Sequence, residues 1–276
     1  MTAGGDTPYL AASTIYRDDA AYLPEWIEFH RLVGVERFFL YDNGSTDDHR
    51  RVLAPYAAEG IVVVHEWPHA FLGHNGRPRA IFTAFEDCCG RHAGDARWIA
   101  FLDVDEFLFS PTGASLPDVL RDYEEFPGVL VSRAEFGPSG HVTQPAGLVI
   151  ESYLQRRALR PDDEVEHKSV VNPAGVARCL SAHSFVHRDG LPVNEDRRPV
   201  DTRERITHSP LTWSRLRVHH YWSRSEEERR RKAERWRDVG SLRGVPHAPV
   251  SERSHPVTDE TLAAYAPAVR EALARR

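Results

Sequence analysis

The chain has 276 residues, of which 41% are hydrophobic and 28% are charged, and its net charge is -6 with a pI near 6.2. This length allows one large α/β domain or two small ones, and the composition is that of a folded globular protein. The acidic balance argues against a general nucleic-acid binder. The aliphatic runs are far shorter than the roughly 20 residues that span a bilayer, so we expect no transmembrane segment.

The three cysteines, Cys88, Cys89 and Cys179, form neither an even-numbered disulfide framework nor a Cys-x-x-Cys metal motif. We therefore predict reduced thiols, as in cytosolic proteins. The first eight residues also lack the basic and apolar regions of a secretory signal. Together with the arginine-rich composition, these features favour a bacterial, cytoplasmic enzyme.

Hydrophobic periodicity predicts strands alternating with helices in the first hundred residues. The strands are predicted at 10–16, 37–41, 61–65 and 98–102, and the helices at 20–33, 45–58 and 79–91. Such alternation predicts an α/β fold with a mostly parallel, Rossmann-like central sheet flanked by helices. The intervening loop 66–78, rich in glycine, proline and histidine, is long enough to be functional.

After residue 103 this regular alternation ends. A short helix is predicted at 116–123, strands at 128–134, 170–172 and 176–186, and helices at 225–238 and 259–274. The charges of the helix at 225–238 are typical of a solvated, ion-paired surface. We predict a single domain over 1–276, with a nucleotide-binding half at about 10–110, an acceptor-side half at about 111–240 and a C-terminal helical tail at 241–276.

Three acidic residues, Asp103, Asp105 and Glu106, follow the apolar strand at 98–102. In an open α/β sheet, ligands bind beyond the carboxyl ends of the strands. If the backbone there is extended, carboxylates two residues apart project to the same side and can hold one hard cation together. A solvated turn is the simpler alternative. The large apolar neighbours favour the metal site, because carboxylates among them need a cation or donor.

Several segments carry a family resemblance, and they occur in the same order as in that family. They are Tyr-Leu-Pro-Glu-Trp-Ile-Glu-Phe-His at 22–30, Phe-Leu-Tyr-Asp-Asn-Gly-Ser-Thr-Asp at 39–47, Phe-Leu-Asp-Val-Asp-Glu-Phe at 101–107, and shorter pieces at 136–141, 168–173, 183–185 and 219–225. Together they resemble glycosyltransferase family 92 and its bacterial relatives, within the family 2-like enzymes of the GT-A fold. The resemblance runs from about residue 12 to about residue 240.

The resemblance implies transfer of a sugar from a nucleotide-sugar donor, with inversion and with a divalent metal held by the Asp-x-Asp motif. The chain departs from the family's pattern at Arg17-Asp18-Asp19, where Lys-Asn-Glu is usual, and at Arg79, where Gln is usual. Animal members also carry an N-terminal membrane anchor, and we expect none in this protein. These differences bear on the donor sugar and the acceptor more than on the reaction.

The sugar-transfer interpretation assigns most of the polar residues at the strand ends to the donor and its metal. Asp103 and Asp105 are expected to bind Mn²⁺ or Mg²⁺, which prefer oxygen ligands. A third ligand is expected from His219 or His220, as the resemblance suggests, although stacking on Tyr221 and Trp222 explains these histidines equally well. The residues expected to bind the nucleotide are Tyr16, Arg17, Asp18, Asp42, Asn43, Asp103 and Lys168.

Inversion needs a general base that takes the proton of the acceptor hydroxyl. Glu106, next to the metal pair, and His183 are the two hypotheses, and a structural role is the alternative for both. We expect a nucleotide-sugar donor, with UDP favoured, and a carbohydrate, glycolipid or small-molecule acceptor. Two other functions stay open: a metal-dependent nucleotidyltransferase, although no glycine-rich phosphate loop is present, and a binding module without turnover.

Overall fold

The computed structural model describes residues 7–70, 79–204, 208–238 and 256–276. Its strands are β1 (Leu10–Tyr16), β2 (Arg37–Asp42), β3 (Val62–Glu66), β4 (Trp98–Phe101), β5 (Glu106–Phe109), β6 (Gly128–Glu135), β7 (Gln155–Arg157), β8 (Glu164–Val171), β9 (Val176–Cys179), β10 (Phe185–His187), β11 (His208–Pro210), β12 (Arg217–His220) and β13 (Pro256–Thr258). Its α-helices are α1 (Leu23–Leu32), α2 (His49–Ala58), α3 (Arg79–Arg91), α4 (Leu116–Leu120), α5 (Val149–Ser152), α6 (Glu226–Asp238) and α7 (Ala266–Ala274).

One nine-stranded sheet contains strands from both halves of the chain, in the order β3-β2-β1-β4-β8-β6-β12-β5, with β11 beside β8. Strands β3, β2, β1 and β4 are parallel to one another. Strand β8 lies antiparallel between β4 and β6, and β12 pairs parallel with β6 and antiparallel with β5. The predicted α/β class is confirmed. The parallel part of the sheet is the part that the strand–helix alternation predicted.

The central strands are buried on both faces, because alternate side chains enter two separate cores. In β1, Leu10 and Ala12 face the core that contains Trp26 of α1, whereas Ala11 faces the core that contains Phe85 of α3. Strands β2 and β4 divide their side chains in the same way. This two-sided burial explains why these strands are continuous apolar runs in the sequence.

Helix α1 ends where the sequence predicted, at Gly34, whose φ of 106° lies in the left-handed region. A Cβ at this position would lie 2.5 Å from Pro117 Cδ, so the close approach also requires glycine.

Trp26 of α1 ties the first core to the acidic motif. Its side chain is fully buried, and its indole Nε1 donates a 2.8 Å hydrogen bond to the carbonyl oxygen of Glu106. We expect Trp26→Phe to lower the free energy of unfolding by about 1–3 kcal/mol, because the smaller ring leaves space and the buried carbonyl loses its donor. Urea unfolding measures this loss. Trp213→Phe, at a partly buried indole, is the control, and an equal loss there would contradict the special role of Trp26.

Four element predictions need correction. The predicted strand at 176–186 is a hairpin, β9 and β10, because residues 180–184 leave the extended conformation. Strand β8 begins six residues earlier than the predicted start at 170, and β5 and β12 were not predicted as strands. The described part of the predicted helical tail begins with β13, which pairs with β7. Residues 71–78 of the predicted functional loop and residues 241–255 of the tail lie outside the described residues.

The three cysteines are free and buried, in agreement with the prediction of reduced thiols. Across the described parts of the chain, no helix combines the length and apolar character that crossing a membrane requires.

Candidate active site

The acidic motif lies in a turn between β4 and β5. The backbone N–H of Glu106 donates a 3.0 Å hydrogen bond to the carbonyl oxygen of Asp103, which closes the turn. The expected extended backbone through Asp103 and Asp105 is therefore wrong. Because the chain turns here, the two carboxylates do not share one partner: Asp103 meets Lys168, and Asp105 meets Lys232.

Glu106 begins β5 and lies at the centre of a buried ionic cluster. Lys168 Nζ lies 2.8 Å from both Asp103 Oδ2 and Glu106 Oε2, and Arg133 Nη1 lies 3.1 Å from Glu106 Oε1. Arg133 also pairs with Glu166. Burial raises the pKa of the Glu106 carboxyl, but Lys168, His220 and Arg133 outweigh it and hold the pKa at about 2.

Asp105 has a separate set of positively charged and imidazole neighbours. Lys232 Nζ lies 2.6 Å from its Oδ2, and His220 Nε2 lies 3.5 Å from its Oδ1. Burial raises the pKa of Asp105, whereas Lys232 and then His220 lower it, and the result is a pKa well below the usual range. Asp105 is therefore an anion that the protein keeps beside a lysine.

Strand β12 decides which of the two adjacent histidines reaches the motif. His220 is opposite Glu106 across the β12–β5 pair, and side chains alternate along a strand, so His219 faces the other way. His219 packs against Phe109 and Phe136 at ring distances of 4.7 and 4.5 Å, and burial lowers its pKa to about 3. The structure brings His220, but not His219, to Asp105.

Two basic residues near Asp105 were not predicted as site residues, Arg224 and Lys232. Arg224 is buried with φ of 48°, and its guanidinium lies 3.4 Å from the ring centroid of Tyr22. Its Nε has no hydrogen-bond partner among the described residues. Lys232 lies on α6, the helix predicted as a solvated surface. One signal was available in the sequence: the chain contains only two lysines, and both contact the acidic motif.

Five of the seven residues predicted to bind the nucleotide lie at the carboxyl ends of β1 and β2, whereas Asp103 follows β4 and Lys168 lies within β8. Tyr16 is buried, and its hydroxyl has no hydrogen-bond partner among the described residues. Asp18 accepts hydrogen bonds from Thr46, and Asp42 accepts one from the Ser45 backbone. Arg17 is about half exposed and lies 3.8 Å from Asp18. The structure thus brings the ends of β1 and β2 together beside the acidic turn.

Asn43 and Lys168 have mainly internal partners. The amide of Asn43 donates to the carbonyl oxygens of Trp67 and His69, both at 2.8 Å, and so fastens the loop after β3. The Lys168 side chain is only 1% exposed, and its ammonium is held by Asp103 and Glu106. Direct contact between Lys168 and a donor would require the ammonium to leave both carboxylates, so the structure does not favour this prediction.

The two hypotheses for a general base differ in access. Glu106 is fully buried and ion-paired, so it cannot reach an acceptor hydroxyl, and the interpretation of Glu106 as the base is contradicted. His183, in the turn between β9 and β10, is partly exposed. Its Nδ1 lies 2.7 Å from the His167 carbonyl oxygen, which fixes the tautomer and leaves the Nε2 lone pair available. Burial first, then Lys168, lowers the pKa of His183 well below its usual value.

The carboxylate oxygens and the imidazole nitrogen at Asp105 suit a metal ion that also binds phosphate. Two ligands of one hard cation lie about 3 Å apart, so the 3.5 Å between Asp105 Oδ1 and His220 Nε2 is compatible with a shared ion. The Asp103 side chain is 37% exposed and can contribute. Within the described ranges, no cluster of three or more His, Cys, Asp and Glu side chains is arranged as a metal cage. Magnesium-type sites in nucleotide enzymes need fewer protein ligands, because substrate phosphates complete them.

The parallel half of the sheet, the acidic turn at the end of β4 and the mixed second half form the α/β architecture that the GT-A fold predicts. The profile of glycosyltransferase family 92 matches residues 10–239. The chain therefore belongs to glycosyltransferase family 92, as the sequence motifs predicted.

Curated relatives agree with this assignment. A glycosyltransferase family 92 protein of Ricinus communis is 34% identical over 202 residues, which cover 70% of this chain and 34% of that protein. One from Oryza sativa subsp. japonica is 33% identical over 188 residues, covering 66% and 30%. The galactan beta-1,4-galactosyltransferase GALS2 of Arabidopsis thaliana is 35% identical over 107 residues, covering 37% and 20%. The chain spans about a third of the length of the first two proteins.

Solved structures show weaker similarity. S. aureus TarS 1–349 has a TM-score of 0.38 and 12% identity, covering 60% of this chain and 47% of that one. A mycobacterial protein has a TM-score of 0.39 and 14% identity, covering 91% and 84%. Neither similarity is strong enough to bear on function.

Proposed function

We propose that the chain transfers a sugar, with inversion, from a nucleotide-sugar donor, with UDP as the favoured nucleotide, to a hydroxyl of a carbohydrate acceptor. The observation that carries the proposal is the pairing of Asp105 with His220 at the end of β4, beside the ends of β1 and β2. The match to a galactan beta-1,4-galactosyltransferase over part of the chain supports a carbohydrate acceptor. Glycolipid and small-molecule acceptors are less supported.

Asp105 and His220 would hold Mn²⁺ or Mg²⁺, and Asp103 would act through the ribose or a water. When bound, the ion supplies a Lewis acid that neutralises charge on the departing nucleoside diphosphate. Arg17, whose side chain is about half exposed at the end of β1, would bind the nucleotide. The buried Tyr16 hydroxyl, which has no partner among the described residues, would join it only if the site opens. Asp18 and Asp42 shape the wall beside it, through their bonds to the 45–46 loop.

Inversion requires the acceptor oxygen to form a bond to the anomeric carbon of the donor sugar. At the same time the bond from that carbon to the phosphate oxygen breaks, which releases the nucleoside diphosphate. The acceptor proton must then pass to a base. His183 Nε2 is the proposed acceptor of this proton, because its tautomer leaves that nitrogen unprotonated. Its lowered pKa makes it a weak base, so its contribution is expected to be modest.

Calorimetric titration tests the donor and metal assignments together. We expect UDP to bind in the presence of Mn²⁺, to bind at least ten times more weakly without it, and to bind more tightly than GDP. His220→Gln should weaken Mn²⁺-dependent UDP binding by about 10–100-fold, the range for losing a metal-site residue. In folded His219→Gln, the matched neighbour, that affinity should be retained. An affinity for UDP that changes neither on removal of Mn²⁺ nor in His220→Gln would contradict the metal site.

The products distinguish the remaining alternatives. Release of UDP from a UDP-sugar supports glycosyl transfer, whereas release of pyrophosphate from a nucleoside triphosphate supports a nucleotidyltransferase. Donor binding without release of either product supports a binding module.

A further inference from the structure

The two lysines at the acidic motif differ in how firmly they are held. Lys168 Nζ lies between two carboxylates, each 2.8 Å away, and its side chain is 1% exposed. Lys232 Nζ contacts one carboxylate, Asp105 Oδ2 at 2.6 Å, and the carbonyl oxygen of Trp222 at 3.2 Å. Its side chain is 23% exposed. The Lys232 side chain is therefore partly accessible to solvent, whereas the Lys168 side chain is enclosed.

Helix α6 holds the Lys232 backbone in place while its side chain keeps freedom. Ser225 and Glu228 form a capping box at the start of the helix, in which Glu228 N–H donates to Ser225 Oγ and Ser225 N–H donates to Glu228 Oε2. Tyr153 also donates its hydroxyl to Glu228. The four-carbon stem of Lys232 then allows its ammonium to move without a shift of the helix.

The position of the ammonium conflicts with the proposed metal. Lys232 Nζ is bound to one oxygen of the carboxylate whose other oxygen lies beside His220. A buried carboxylate needs a cation, and Lys232 supplies it in the free protein. Once a divalent ion sits on Asp105 and His220, the ammonium is repelled by a like charge. A donor diphosphate then offers it a new anionic partner.

We propose that Lys232 is a mobile counter-cation, which neutralises Asp105 in the free protein, leaves it when the metal binds, and then contacts the donor diphosphate. This inference rests on the proposed function. It assigns Lys232 a donor-binding role that Lys168 cannot fill, because Lys168 is enclosed.

Amine labelling of the wild-type protein tests the movement directly, since the chain contains only two lysines. With an acylating reagent and peptide mass spectrometry, we expect Mn²⁺ alone to raise the labelling rate of Lys232 several-fold, because the ammonium is released. Adding UDP to the Mn²⁺ complex should lower the rate below that of the free protein. Lys168 is the internal control and should stay unlabelled throughout. A Lys232 rate that Mn²⁺ leaves unchanged, under conditions where UDP binds, would overturn the proposal.

Lys232→Gln gives a second test with effects of opposite sign. We expect Mn²⁺ alone to bind about ten times more tightly, because a competing cation is gone, and UDP with saturating Mn²⁺ to bind about ten times more weakly. Electron paramagnetic resonance of free Mn²⁺ and calorimetry measure the two affinities. Arg231→Gln removes the same charge from the preceding, exposed residue, which pairs with Glu227, and should change neither affinity by more than about twofold.

The outcomes separate this inference from the function on which it rests. If the wild type binds UDP with Mn²⁺ but Lys232→Gln matches it, or binds Mn²⁺ more weakly, Lys232 is a structural partner of Asp105 and only the inference fails. If the wild type binds no nucleotide with Mn²⁺, the proposed function fails and the inference fails with it.

Discussion

Asp105→Asn is expected to lower the rate of sugar transfer by on the order of 10³-fold while the chain stays folded. Asparagine has nearly the same shape, but it removes the charge that pairs with Lys232 and that the proposed metal would require. The free energy of unfolding should fall by less than in Glu106→Gln, because Lys232 is partly exposed and can be solvated. The rate is measured as UDP release from a UDP-sugar, and stability by urea unfolding.

Asp162→Asn is a matched control. Asp162 is exposed between β7 and β8, so the same chemical change should leave both rate and stability near those of the wild type. Turnover in Asp105→Asn within tenfold of the wild type would refute the assignment of Asp105 as the charge-bearing residue of the site.

Glu106→Gln is expected to lower the free energy of unfolding by about 3–5 kcal/mol, the largest stability effect among these variants. The fully buried Glu106 carboxylate neutralises Lys168 and Arg133, and its loss leaves these buried cations with only partly exposed carboxylates as partners. Glu135→Gln is the control, since Glu135 also faces Arg133, at 3.7 Å, but its side chain is 45% exposed. Glu135→Gln should lower the free energy of unfolding by no more than about 1 kcal/mol. Equal losses of unfolding free energy in the two variants would show that burial of the Glu106 ion pairs does not add to stability.

The Glu106 carboxylate also makes stability depend on acid pH. Its folded-state pKa is about 2, below the ordinary value of 4.5, so the unfolded chain takes up the proton first as pH falls. Its stabilising contribution, about 3 kcal/mol, is complete above pH 4.5 and is lost as pH falls towards 2. The stability gap between wild type and Glu106→Gln should therefore narrow between pH 5 and pH 3. A gap that stays constant in urea unfolding over this range would contradict the depressed pKa.

The sequence predicted most of the first half of the fold. Strands β1 to β4 and helix α3 were predicted to within one or two residues, because two-sided burial makes each strand a continuous apolar run and α3 has a clear helical period. The family was also predictable, since its motifs occur in order along the chain. The second half of the fold was harder to predict from the sequence. The run at 176–186 is a hairpin, because residues 180–184 leave the extended conformation, and hydrophobic periodicity alone does not reveal that turn.

By itself the sequence determined the α/β class and the family, and it predicted the acidic motif as the centre of the site. It placed Asp103, Asp105 and Glu106 next to one another, but local spacing does not specify which partner each carboxylate meets. The tertiary structure decided that Glu106 is enclosed with Lys168, that Asp105 meets Lys232 from a helix 127 residues away, and that His220 rather than His219 faces it. The reason is physical: the charge of a buried carboxylate is set by residues that only folding brings within a few ångströms.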